Sequence, residues 1–294
     1  MLLDKPRGLS SNAALQRVRA LLAVLSHGKP KAGHVGSLDP LASGMLPICL
    51  GEATKIAGDI LQGKKRYRFT IALGERTATG DTEGEVVEKA PVPALAQDLI
   101  QTTLTGFLGP QQQVPPMYSA ISQGGQRLYK LARAGLEVER AARPIELFEL
   151  ALLEARDGRS LCLETLCSKG TYVRVLAEDV ARALGTVGHV QELRRVAVEP
   201  FEGQPMQTLE SVTEATQAGL LPPILPADSA LMHLPAVSLT PQEVARLQHG
   251  QAVLLRGAPA AQRLRLKAAD GALVGLGECG RDGYVQPRRM FVPD

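Results

Sequence analysis

Residues 33–55 read GHVGSLDPLASGMLPICLGEATK, and the acid at the centre of its first half is Asp39. Glycines at 33, 36 and 44 permit close backbone approach, and Pro40 fixes the chain directly after the acid. Leu38 and Leu41 offer apolar anchors on either side. Ordering such a small-residue segment costs on the order of 1–2 kcal/mol of backbone entropy per residue. That cost is tolerated where a loop must aim a side chain, which points to a functional Asp39; an aspartate that only caps a turn fits the same residues. An ionised carboxylate, with an ordinary pKa of about 3.9, is a nucleophile at neutral pH without an activating base. The nearest acids in sequence, Asp4 and Glu52, form no local cluster that would mark Mg²⁺ or a paired-carboxylate hydrolase. The composition of 33–50 predicts a long ordered loop between elements.

Outward from this loop, Ala14, Leu15, Val18, Leu21, Leu22 and Leu25 recur at helical spacing and predict a helix over 12–25, capped by Ser10 or Ser11. A basic run, HGKPK at 27–31, separates it from Asp39. Alternation over 65–73 predicts a strand with Tyr67, Phe69 and Ile71 on one face. Residues 74–84 read as loop, 92–108 and 126–133 as helices, and 145–155 with 160–168 as a hairpin turning at Asp157–Gly158. A helix over 171–184 ends at Gly185. Prolines at 222, 223, 226 and 235 mark a linker. Beyond it come a helix over 240–249, with Pro241 at its first position, and four short strands.

The chain has 294 residues, which suggests about two domains, with boundaries expected at 1–228 and 229–294. Aromatic residues make up only 3%, so Leu, Val, Ile and Ala must fill the core. Four scattered cysteines, none in a CxxC pair, read as buried thiols rather than a disulfide or zinc framework. Asp4, Lys5 and Arg7 stand where a signal peptide would need an apolar run, and no stretch is long enough for a membrane helix, so a soluble cytoplasmic protein is expected. Charge is unevenly spread. Residues 1–80 hold 12 basic and 5 acidic side chains and 231–294 hold 8 and 5, whereas the middle is net acidic. Basic ends suit a polyanion laid across one face; solvated helix and loop surfaces would give the same counts.

SKGTYVR at 168–174 falls where a strand ends and a helix begins. Arg174 near a helix start opposes the dipole, which suggests another partner such as a carboxylate or phosphate. Tyr67 and Tyr172, two of only five tyrosines, are either core or a stacking surface for a base.

Taken together, seven ordered motifs resemble the bacterial TruB family of tRNA pseudouridine-55 synthases: LLDKPRGLSSN at 2–12, the Asp39 loop, KKRYR at 64–68, RTATGDTEG at 76–84, VPPMYSA at 114–120, CSKGTYVRVLAEDV at 167–180 and HVQELRR at 189–195. VQPRRM at 285–290 resembles the closing strand of a PUA domain. The resemblance implies an α+β pseudouridine synthase fold, a mixed, largely antiparallel sheet flanked by helices, plus a small β-rich PUA-like domain.

It also implies roles. Asp39 matches the catalytic aspartate, Tyr67 the tyrosine stacked on the target uracil, and Arg174 the arginine paired with the aspartate. His34 matches a histidine that helps hold the flipped-out state, Tyr172 and Leu193 match the pocket wall, and Lys5 with Pro6 a segment beside the site. Lys65 and Lys169, neighbours of these tyrosines in the same motifs, join the substrate-binding set, and Arg288 and Arg289 would meet the acceptor side of a tRNA. The implied reaction breaks the N1–C1′ bond of a uridine, turns the base and joins C5 to C1′, with no metal or cofactor, by a glycal-type route in which Asp39 acts as base and transient nucleophile. A monomer is implied. The family resemblance includes a tRNA-folding role, so an RNA chaperone with secondary or absent catalysis is the alternative. Three departures stand out: the chain begins almost on the DKP motif, valine replaces the common threonine at 35, and the segment 22–31 is longer than the family pattern.

Overall fold

A computed structural model describes residues 1–25, 28–119, 121–255, 257–259 and 261–291. The chain opens with β1 (Leu2–Lys5), α1 (Ser11–Leu22), β2 (Ala32–His34) and β3 (Ser43–Leu50), then a 3-10 turn and α2 (Ala57–Gln62). It continues through β4 (Lys65–Leu73), β5 (Glu75–Thr77), β6 (Val86–Lys89), α3 (Gln97–Thr105), β7 (Gly109–Gln113), β8 (Ser122–Gln123), β9 (Gln126–Arg127) and α4 (Leu128–Arg133). The long hairpin β10 (Arg143–Arg156) and β11 (Ser160–Cys167) leads to α5 (Val173–Ala183), β12 (Gly188–Val198) and α6 (Leu209–Gln217). After a 3-10 turn over Ala227–Leu231 come β13 (Ala236–Ser238), α7 (Pro241–Gln248), β14 (Val253–Leu254), β15 (Gln262–Lys267), β16 (Leu273–Cys279) and β17 (Tyr284–Met290).

Eight strands form the main sheet, in the order β1-β3-β12-β4-β11-β10-β7 with β2 added on β3. The β12–β3 pair is parallel and its neighbours run antiparallel, the mixed, largely antiparallel arrangement expected. β4 lies at the centre. Its alternation is the predicted one: Phe69 and Ile71 are buried, while Arg66 and Arg68 on the other face pair with Glu149 and Glu164 at 2.6 and 3.1 Å. Leu15 and Val18 of α1, Leu104 of α3, Leu176 and Val180 of α5 and Val212 of α6 join Phe69 and Ile71 in the main core. Ser10, not Ser11, caps α1, its hydroxyl accepting from the Ala13 amide; Ser11 instead bonds Leu38 of the Asp39 loop.

The structure corrects several expectations. Residues 33–50 are not one loop: β2 and β3 occupy both ends and leave 35–42 between them. β3 lies between β1 and β12 with Met45, Leu46, Ile48 and Cys49 all buried, so its sequence is continuously apolar and lacks the alternation that marks a half-exposed strand. Likewise β12 has its edges covered by β3 and β4, and β5 occupies part of the expected 74–84 loop by pairing with β6. Pro91 and Pro93 precede α3, which starts only at Gln97, and the helix expected over 126–133 begins at Leu128 because β9 pairs with β8. The hairpin turn is as read, with Asp157 and Gly158 both left-handed at φ 52° and 61°.

The second sheet runs β13-β15-β16-β17-β14 around Leu239, Leu247, Leu264, Leu266 and Val285. Thr240 and Glu243 form a capping box at the start of α7. This small unit leans on the first: Leu276 and Phe291 share a core with Leu2, Val35, Ile60, Phe201 and Leu231, and Arg263 pairs with Asp59 at 2.5 Å. Cys49, Cys167 and Cys279 are buried and Cys162 is half-buried. Among the described residues no helix is long and apolar enough to cross a membrane, and no group of three or more His, Cys, Asp or Glu side chains could hold a metal ion.

Candidate active site

The loop between β2 and β3 carries Asp39 to the rim of a cavity of about 360 Å³. Its walls include Tyr67 from β4, Leu193 and Arg195 from β12, and Tyr172 and Arg174 from the start of α5; Lys65 and Lys169 complete the expected residues that line it. The loop is held at both ends. Val35 donates its amide to the Pro47 carbonyl, and Ser11 accepts from the Leu38 amide at 2.7 Å while donating back to its carbonyl at 2.9 Å. Gly44, at φ +101°, lets β3 pass β12, since a Cβ there would stand 2.2 Å from the Arg195 carbonyl oxygen.

Arg174 is the residue that turns this loop into a site. Its side chain is only 5% exposed, and its Nε lies 2.9 Å from Asp39 Oδ2. Nη1 and Nη2 each donate at 2.7 Å, to the carbonyls of Thr79 and Tyr118. The two carbonyls fix the planar guanidinium, and its Nε holds one oxygen of the Asp39 carboxylate, itself 41% exposed, from one side. A second acid shares the arginine. Asp81 is buried, with Oδ2 3.7 Å from Nε, and its Oδ1 accepts from the Thr79 hydroxyl and the Glu83 amide. Gly80, at φ +75°, gives this turn room against Arg174 and Glu178. Burial, then Asp81 and Asp39, push the Glu83 carboxyl above its usual range.

Tyr67 and Arg195 are opposite each other across the β4–β12 pairing. Burial raises the Tyr67 phenol above its usual pKa, the Arg195 guanidinium opposing that rise. Arg195 is 1% exposed and donates Nε to the Met45 carbonyl at 2.7 Å and Nη2 to the Gly36 carbonyl at 2.9 Å. Tyr172 is clamped through its backbone: Gln113 accepts its amide at 2.7 Å and donates to its carbonyl at 3.2 Å. Lys65 is buried, bonding the Leu61 and Gly63 carbonyls at 2.5 Å, whereas Lys169 is exposed at the rim and reaches Gln62.

His34 lies one step outward, in an adjoining compartment of about 480 Å³ that shares Asp39 and Arg174 with the inner cavity and adds Ser10, Asn12 and Glu83. Its Nδ1 is buried without a partner among the described residues, and burial, with Arg195 second, lowers its pKa. Lys5 is fully buried behind the loop and bonds the carbonyls of Pro6 and Leu9 at 2.9 and 2.7 Å. Arg288 and Arg289 are elsewhere, exposed on β17 of the second sheet, with Arg288 paired to Glu278 at 2.8 Å.

Two contributors were not singled out from sequence, Asp81 and Arg195. Asp81 is remote from Asp39 in the chain, and only folding brings them to one guanidinium. Arg195 did carry a signal, since it sits two residues from Leu193 on a strand, hence on the same face of an otherwise apolar wall.

Residues 24–173 match the TruB family pseudouridylate synthase N-terminal domain, 174–232 a tRNA pseudouridylate synthase B C-terminal domain, and 235–291 a pseudouridine synthase II TruB C-terminal region. The tRNA pseudouridine synthase B of Nitrosococcus oceani is 47% identical over 99% of this chain and 94% of its own length. That of Aeromonas salmonicida is 44% identical over 99% and 92%. Among solved structures, a Cbf5–Nop10–Gar1 complex and an H/ACA RNP bound to a substrate RNA containing 2′-deoxyuridine each give a TM-score of 0.72 at 25% identity, covering 100% of this chain and 84% of the other. With matched domains spanning both sheets and relatives alike from end to end, the chain belongs to the TruB family of pseudouridine synthases.

Proposed function

We propose that this tRNA pseudouridine synthase acts on the uridine at position 55 of the T loop, flipped out of its stack into the inner cavity, with Asp39 as the catalytic residue. The observation that carries this reading is the Asp39–Arg174 pair at the rim of a base-sized cavity. Arg174 engages Asp39 through Oδ2, so Oδ1 is the oxygen left for the sugar or base, able to take a proton from C2′ or to bond transiently to the reacting carbon. Tyr67 offers a ring to stack on the uracil, with Leu193 and the clamped Tyr172 as walls. His34, in the outer compartment, would help hold the gap that the extruded base leaves. Extrusion costs a few kcal/mol, recovered by stacking and by phosphate contacts.

On this reading residues 1–228 form the catalytic unit and 229–294 a PUA-like unit whose Arg288 and Arg289 meet the acceptor side of the tRNA. On the same reading the protein acts as a monomer. The protein would work in the cytoplasm.

The test is tritium release from a T-arm transcript labelled at C5 of its uridines. Release by the parent, mapped to position 55, and none by Asp39→Ala supports the assignment. Release at another uridine would keep the chemistry and overturn the substrate. Tight, salt-sensitive binding without release would favour the chaperone reading.

A further inference from the structure

One motif has no part in the site so far: the extra basic stretch before the Asp39 loop. His27 lies outside the described residues, but Gly28–Lys31 can be followed. Two physical routes lead to it from the outer compartment. Along α1, Asn12 lines that compartment and accepts from Gln16 at 3.4 Å; Gln16 accepts from Arg19 Nη1 at 3.2 Å, and Arg19 Nε donates to the Pro30 carbonyl at 3.0 Å. Positions 12, 16 and 19 lie on one helix face, so this polar ladder climbs about 10 Å from the compartment to the loop. Along β2, Lys31 precedes His34 by three residues, again about 10 Å in an extended strand. The Gly51 amide donates to the Lys31 carbonyl at 2.8 Å, so the loop is pinned on both sides.

The charges on this ridge are uncompensated. Lys29 and Lys31 are exposed and, like Arg19, make no ion pair with any described residue. Glu52, next to the pinning Gly51, is already engaged by Lys55. Arg66, Arg68 and Arg76, by contrast, are held by glutamates, and what sets Lys29 and Lys31 apart from other unpaired surface cations is their place beside the outer compartment. A cationic ridge pinned through the Pro30 and Lys31 carbonyls and continuous with the outer compartment suits phosphates spaced along a strand.

We propose that Lys29, Lys31 and Arg19 form a second RNA-backbone contact, which extends the outer compartment and grips phosphates flanking the flipped nucleotide. This rests on the RNA-modifying reading above and adds a contact to it. The contact contributes affinity and on-rate and leaves the chemical step alone, because none of the three reaches the inner cavity.

The experiment measures dissociation constants of a full-length tRNA transcript against salt, for the parent and for Lys29→Gln/Lys31→Gln, together with single-turnover rates at saturating enzyme. Loss of two phosphate contacts should make the slope of log K on log salt shallower by about 1.4–1.8. Between 50 and 200 mM salt the parent would then lose about 7- to 12-fold more affinity than the variant. The saturating rate and the thermal midpoint should match the parent, and Lys29→Arg/Lys31→Arg should restore the parental slope. An unchanged slope in the Gln variant would overturn the contact while leaving the catalytic assignment standing. A parent that neither binds the transcript nor releases tritium would overturn the functional reading, and the contact with it.

Discussion

Two buried arginines wall the same cavity, and they are used in opposite ways. Arg174 is a cation among acids: Asp39 and Asp81 face its Nε, and Glu83 is close enough for its own carboxyl to be pushed up by both. Arg195 is a cation among cations. It is satisfied by two backbone carbonyls, and its charge adds to burial in lowering His34, Lys5 and Lys65. Both are anchored by carbonyls, so both are rigid. The difference lies in their partners: Arg174 turns its Nε to a carboxylate, whereas Arg195 ties β12 to β3 and the Asp39 loop through the Met45 and Gly36 carbonyls and bonds the Tyr67 side chain. One wall holds the Asp39 carboxylate, and the other holds the loop that presents it.

The harshest way to break the second wall acts on backbone. Gly44→Ala would put a Cβ 2.2 Å from the Arg195 carbonyl oxygen at φ +101°, and neither β3 nor β12 can yield without breaking their parallel pairing. A loss above about 4 kcal/mol, seen as insoluble or unfolded protein by circular dichroism, is expected. Breaking the first wall separates stability from chemistry. Arg174→Met leaves Asp81 a buried, unpaired carboxylate, which destabilises by about 3–5 kcal/mol, and frees Asp39 to rotate, which lowers the single-turnover rate at least about 10²-fold. Adding Asp81→Asn should restore part of the urea midpoint, since the Thr79 and Tyr118 carbonyls stay without their donors, and none of the rate. Recovery of both would show that Arg174 serves the fold alone. Arg195→Met should be milder on both counts, losing about 2 kcal/mol from the unsatisfied Met45 and Gly36 carbonyls while the rate per folded molecule falls less than in Arg174→Met.

The contrast also explains what could be read from the sequence. Asp39, Tyr67 and Arg174 sit beside local signals: a glycine-rich loop, an alternating strand and a cation at a helix start. The resemblance then named their roles, and the cavity brings all three together. The central strand β4, the β10–β11 hairpin and the capped α7 were legible because each is half-exposed or ends on a distinct turn or cap. β3 was not, since full burial erases the alternation that marks a strand, and β12 was not, since a buried arginine, Arg195, takes an inward position between Leu193 and Ala197. Asp81 was invisible for another reason. Its importance is a distance to Arg174, which no local pattern encodes.

The subtlest prediction tests whether the Arg195 wall is as cationic as it looks. Burial, opposed by Asp39, lowers Lys5 to about 8, and burial, reinforced by Arg195, lowers Lys65 to about 8, from 10.5 in the unfolded chain. Between those values the unfolded chain binds more protons, so stability must rise with pH. Burial also lowers the Met1 amino group below its ordinary 8.0, which adds a smaller rise of the same sign, while burial raises the Cys49 and Cys167 thiols above 9.0, so their ionisation in the unfolded chain opposes the rise increasingly as pH climbs past 8. From pH 8 to 9 each lysine should add about 1 kcal/mol, read as a rising urea midpoint. Lys5→Met should remove its own share, about 1 kcal/mol, of that rise. Arg195→Met should shift it to higher pH, because Lys65 would regain part of its ordinary basicity, whereas Arg174→Met should leave it in place. A flat profile in the parent, or one that Arg174→Met moves and Arg195→Met does not, would mean the two walls are not electrically distinct and that carbonyl anchoring alone separates them.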